Sequence, residues 1–109
     1  MNPFIAHLIG DFILQNDWMA VNKKRNSFAC LVHVVIYLLP FLVCHLSWWQ
    51  IVLIGIQHFL QDRTGFIFWW MNAWKRMPKE HWNQIPLWVD QSFHVLWIEI
   101  VLLLAGIAL

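Results

Sequence analysis

PLWVDQSFHVLWIEIVLLLAGIAL, residues 86–109, is an apolar and aromatic run long enough to cross the hydrocarbon core of a bilayer, which takes about 20 residues at ~1.5 Å rise. Three acidic or imidazole side chains interrupt it. Asp90 and His94 stand four residues apart and share one helix face, whereas Glu99 falls on the opposite side. The stretch reads as a lipid-facing helix that carries one polar stripe.

The same spacing recurs upstream, as His7 with Asp11 and His58 with Asp62. Both lie in further apolar stretches of a chain that is 61% hydrophobic and 12% charged, far below the roughly 25% charged residues usual for soluble domains. Spans of suitable length cover about 3–20, 27–48, 49–74 and 86–109. The first is expected to be a retained helix and not a cleaved signal, because no basic residue precedes it and Asp11 interrupts it. The expected fold is all-α: an integral membrane four-helix bundle, with 1–109 forming a single transmembrane domain.

Basic residues set the orientation. Lys23, Lys24 and Arg25 separate the first two spans and Lys75, Arg76 and Lys79 the last two, so both loops are expected on the cytoplasmic side of an inner membrane, with both termini outside. Trp18, Trp69, Trp70, Trp74, Trp82 and Trp88 would form an inner aromatic belt, and Trp48 and Trp49 an outer one. A net charge of +1 with no clustered basic face speaks against nucleic-acid binding.

Helix direction explains why the third pair is reversed. Spans one and three run inward and span four runs outward, so all three histidines lie nearer the outside than their aspartates. This predicts a layer of imidazoles about 6 Å from a layer of carboxylates. His33 lies at a depth similar to His94, and LVHVVIYLL around it resembles SFHVLWIEI, which suggests two copies of a helical hairpin with a polar site at their interface.

Each aspartate near the membrane centre costs about 2.5 to 3.5 kcal/mol, so three unpaired ones would cost on the order of 8 to 10 kcal/mol. That cost points to a functional group of ligands. His7, Asp11, His33, His58, Asp62, Asp90 and His94 could hold one or two divalent ions such as zinc, manganese or iron, with Asp11, Asp62 and Asp90 as bridging ligands or catalytic bases. Gln15 and Tyr37 continue the same stripes as supporting hydrogen-bond partners. Gly10, Gly55 and Gly65 would let helices approach closely. Arg63 could neutralise a carboxylate, bind an anionic head group or snorkel. Glu99 points to a second copy, a partner subunit or an outward polar route. His45 and His81 read as interfacial residues. Cys30 and Cys44, about 21 Å apart along one helix, read as free thiols.

HLIGDFILQNDWMA at residues 7–20, the basic turn, LVHVVIYLLPF, HFLQD and the closing DQSFH together resemble an uncharacterised family of small bacterial and phage integral membrane proteins that begin with an HLLGDF-like segment. That resemblance implies four membrane helices and supplies no activity. A looser similarity in residue type links the chain to inner-membrane proteins classed as metal-dependent hydrolases.

Three functions fit these residues. One is hydrolysis of a phosphoester or related bond in a membrane lipid by metal-activated water. Another is a proton or cation pathway, in a channel or transporter extended by Glu99 and Arg63. The third is b-type haem ligation, ranked last because it leaves the paired aspartates without a role. A non-enzymatic subunit of a larger membrane complex, or a homo-oligomer that closes a chamber 109 residues cannot close alone, stands beside them.

Overall fold

The structure, a computed structural model, describes residues 1–107 and is all-α: it contains six α-helices and, among the described residues, no strand. They are α1 (Pro3–Leu8), α2 (Asp17–Asn22), α3 (Ser27–Leu38), α4 (Trp48–Arg63), α5 (Phe66–Ala73) and α6 (Ile85–Ile107). Residues 108 and 109 of the fourth expected span lie outside the described residues.

Three of the four expected spans are broken, each for a local reason. In the first, α1 opens on Pro3 with the Asn2 side chain accepting from the Phe4 N–H at 2.7 Å. It then widens into a π turn at Ile9–Ile13, where the Leu14 N–H reaches the Ile9 carbonyl at 2.9 Å. Asn16 next takes an extended conformation and caps α2 by accepting from the Met19 N–H at 2.9 Å, ending the first helix well short of Ala20. In the second span, Asn26 caps α3, and Pro40 has no N–H to continue the α ladder, so Leu39–Val43 tightens into a 3-10 turn. The third span divides at Thr64 and Gly65, where Thr64 is extended (ψ 169°).

α4 packs against both α3 and α6, and α1 lies against α6 and the 3-10 turn that follows α3. At one end the Met1 ammonium donates to the Val43 carbonyl at 3.0 Å. At the other, Arg63 binds the Lys24 carbonyl (2.6 Å) and Ser27 Oγ (3.1 Å), tying the end of α4 to the basic turn before α3. Arg63 therefore fastens two helix ends and does not neutralise a cluster carboxylate.

The closest approach is at Gly10. A Cβ there would lie 2.7 Å from the Tyr37 carbonyl oxygen and 2.6 Å from its ring, so the π turn sits directly on the α3 backbone. At Gly55 an added Cβ would meet only a terminal methyl of Leu38, and at Gly65 it would meet nothing. Close packing thus accounts for Gly10 and Gly55 but not for Gly65.

Polarity is inverted relative to an ordinary globule. His7, Asp11, His33, His58, Asp62 and His94 are buried, while Phe28, Leu31 and Val35 on α3, Leu39 and Leu42 in the 3-10 turn after it, and Val52, Ile56 and Leu60 on α4 are exposed. The apolar core is Ala6, Tyr37, Phe41, Cys44, Ile54, Ile98 and Val101, all toward the Met1 end of the polar cluster. Trp18, Trp48, Trp69, Trp74 and Trp88 are exposed. Trp82 is not: it stacks on Phe68 at 5.8 Å and donates to the Met77 carbonyl, so it leaves the expected belt. Among the described residues one helix, over Ile85–Ala105, is long and apolar enough to cross a membrane; Pro3–Ile13 and Ser27–Val43 are apolar but shorter.

Candidate metal centre

Three elements bring four side chains to one point. The π turn brings Asp11, α3 brings His33, and α4 brings both His58 and Asp62 one turn apart. One ligand atom from each, Asp11 Oδ1, His33 Nε2, His58 Nε2 and Asp62 Oδ2, lies within 4.8 Å of the others. His33 Nε2 stands 3.2 Å from Asp11 Oδ1, 3.1 Å from Asp62 Oδ2 and 3.0 Å from His58 Nε2. His58 Nε2 stands 3.4 Å from Asp11 Oδ1 and 3.0 Å from Asp62 Oδ2.

These separations test whether a cation fits. Zinc bonds to nitrogen and oxygen of about 2.0 to 2.2 Å require tetrahedral ligand atoms about 3.3 to 3.6 Å apart. The measured 3.0 to 3.4 Å lies at or just inside that spacing. Asp11 Oδ1 is buried with no well-directed hydrogen bond, and its polar neighbours are the two Nε2 atoms of His33 and His58, so it faces the centre of the group. Neither His33 Nδ1 nor His58 Nδ1 has a protein partner, so the His58 ring is held by stacking, between Tyr37 at 3.7 Å and His94 at 4.0 Å.

A second group adjoins the first: Asp11, Asp90 and His94 also offer ligand atoms within 4.8 Å of one another. His94 Nε2 lies 3.1 Å from Asp62 Oδ1 and 3.7 Å from Asp90 Oδ2, so Asp11 and Asp62 stand between the two positions and could bridge them. Imidazoles and carboxylates therefore interleave in direct contact, in place of the separate layers drawn from helical rise alone. Side chains reaching along the helix axis close the gap between levels.

His7 stands apart from both groups. Its Nδ1 pairs with the Tyr37 hydroxyl at 2.7 Å and its Nε2 with Gln91 Oε1 at 2.6 Å, while Gln91 Nε2 donates to Asp11 Oδ2 at 2.8 Å. His7 and Tyr37 thus orient Asp11 through Gln91. Tyr37→Phe removes one hydroxyl from this chain and leaves buried His7 Nδ1 without a partner, so it is expected to cost about 1 to 3 kcal/mol of stability and to weaken metal affinity less than loss of a ligand does, measurable by denaturant unfolding beside metal titration.

Several contributors escaped the sequence reading. Gln61 Nε2 donates to the Asp90 carbonyl (2.8 Å) and Oδ1 (2.9 Å), and Gln57 Oε1 faces His94 Nδ1 at 3.3 Å. Their signal was present as two doublets four residues apart, Gln57-His58 and Gln61-Asp62. Lys23, read only for orientation, donates to Asp62 Oδ2 at 3.0 Å and to Gln15 Oε1 at 2.9 Å. Burial works against its ammonium, but Asp62, with Asp11 and Asp90 behind it, holds the pKa above the ordinary lysine value. Glu99, His45 and His81 are exposed and away from the cluster.

Two openings reach this region. An apolar groove of about 580 Å³ runs between α4 and α6, with Gln57 and Gln61 in its lining beside Leu53, Leu60, Phe93 and Trp97. A smaller cleft of about 170 Å³ opens on Asp62 and Asp90 beside Lys23 and Lys24. A family model described as a protein of unknown function, DUF3307, matches residues 1–108. No curated protein and no solved structure matches the chain.

Proposed function

Since the chain belongs to the family DUF3307, whose description names no activity, we propose from the site itself that the protein is a membrane-embedded metal-dependent hydrolase acting on a lipid-linked phosphoester. The observation that carries this reading is the set of buried Asp11, His33, His58 and Asp62 ligand atoms converging at spacings close to those a tetrahedral ion requires.

The inverted polarity supports a lipid surrounding. An exterior of Phe28, Leu31, Val35, Leu42, Ile56 and Leu60 around a charged interior is the arrangement that hydrocarbon solvent favours and water does not. The long extent of 44 Å is about that of a bilayer with its head groups. Broken helices are tolerated there because Asn and Ser caps, together with neighbouring helices, satisfy the freed backbone groups. Arg63 on the Lys24 carbonyl at one end, and Met1 on the Val43 carbonyl at the other, support an arrangement in which the first basic turn lies on the side opposite the N-terminus.

Asp11, His33, His58 and Asp62 would hold a divalent ion, whose Lewis acidity would activate water at neutral pH. The chain's own residues do the rest. Asp90 is the most accessible of the three carboxylates, at 19% side-chain exposure, and borders the cleft, which suits it to take the proton from the attacking water. Water oxygen bonds to phosphorus, the ester P–O bond breaks, and the leaving alkoxide takes up the proton that Asp90 accepted from the water, so protons balance over the cycle. Gln61 fixes the Asp90 carboxylate, and Lys23 balances Asp62. The groove between α4 and α6 suits a hydrocarbon chain.

Hydrolysis is favoured over a through-pathway because Phe41, Ile54, Ile98 and Val101 fill the bundle between the cluster and the Met1 end. The test is elemental analysis of detergent-purified protein, followed by turnover of phospholipid and polyprenyl-phosphate substrates in micelles. About one tightly held divalent ion per chain and release of a phosphorus-containing product are expected. Metal-free protein after metal-replete growth would overturn the metal assignment, and inactivity toward both substrate classes would overturn the hydrolase.

A further inference from the structure

We propose that the cleft between the Lys23–Lys24 turn and the start of α6 binds the phosphate group of the substrate; this rests on the metal-centre reading and goes further in naming the group recognised and the residues that recognise it. Of the two openings, this cleft is the one on which cluster carboxylates open, through Asp62 and Asp90. Its far walls, Phe68 and Leu87 among them, are apolar. A ligand here has one charged end against lysines and one hydrocarbon end against those walls.

Donor arithmetic favours phosphate. An ammonium has three N–H donors. Lys23 spends two, on Gln15 and Asp62, and Lys24 spends one, on the Asp62 carbonyl at 3.2 Å. Three remain, matching the three acceptor oxygens of a phosphate monoester, whereas a carboxylate offers two oxygens. Lys24 is also held over the Phe68 ring at 5.7 Å from its centroid, which directs it across the cleft instead of into water. Asp90 on the same wall repels an anion until a cation neutralises the cluster, so phosphate and metal binding should reinforce each other.

The experiment measures binding of inorganic phosphate and of short-chain phosphatidate to detergent-purified protein by calorimetry, with metal content determined on the same samples. Lys24→Met is expected to bind phosphatidate roughly 10- to 100-fold more weakly while retaining its metal, and Lys24→Arg to bind near the wild-type level. Lys24→Gln serves if the Met variant does not fold. Tight phosphatidate with weak inorganic phosphate identifies a lipid head group as the source; comparable binding of both identifies free phosphate as a ligand in its own right. Lys24 variants that bind as well as wild type, or wild type that binds neither probe, would overturn the proposal. If wild type lacks metal yet binds phosphatidate in a Lys24-dependent way, the cleft stands and the metal-centre reading falls.

Discussion

Asp62→Ala is expected to lower metal affinity by at least about 100-fold, more than the 10- to 100-fold typical of losing a residue that merely orients a ligand. Asp62 Oδ2 touches both His33 and His58, and its Oδ1 touches His94, so one substitution removes an oxygen from the first position and the link to the second. It also leaves Lys23 without its main counter-charge. Metal titration with competing chelators reads the change. Asp17→Ala, at the exposed start of α2, is the control and should keep wild-type affinity. Equal affinity in Asp62→Ala would remove this carboxylate from the ligand set.

Gly10→Val is expected to cost about 3 kcal/mol or more, at or beyond the upper end of overpacking penalties. The new side chain would meet the Tyr37 carbonyl oxygen and Cα, and backbone atoms cannot rotate aside as the Leu38 methyl facing Gly55 can. Relief requires lifting the π turn from α3, which carries Asp11 away from His33 and His58. Stability and metal content should therefore fall together, whereas Gly65→Ala should leave both nearly unchanged. Heat unfolding in detergent with elemental analysis checks the pair, and a Gly10 variant that keeps both would show that the contact gives way cheaply.

The two variants also mark what could be read from the chain and what could not. His58 with Asp62 and Asp90 with His94 were legible because four-residue spacing on a regular helix is a direct statement about faces. His7 with Asp11 misled for the same reason. The π turn begins at Ile9, between them, so Asp11 turns into the cluster while His7 is directed to Tyr37 and Gln91. Nothing in the hydropathy of IGDFI distinguishes a π from an α turn. The helix breaks at Asn16 and Thr64 fall in short polar stretches, residues 15–17 and 61–65, that were absorbed into the longer apolar spans around them, although Asn is among the strongest capping residues. Lys23 was assigned to a loop by its charge, and only the fold brings that loop over Asp62.

The packed block of Phe41, Ile54, Ile98 and Val101 at one end of the cluster, and the lysine-edged cleft at the other, have a consequence for where such an enzyme can work. In the membrane-embedded hydrolase proposed above, the site would be reachable from one of the two leaflets. Substrate made or delivered in the opposite leaflet would have to be flipped by another protein before it could be cleaved, and both products would be left on the side they came from. The proposed chemistry would then be one-sided: it would empty one leaflet of its substrate without carrying any material across the barrier.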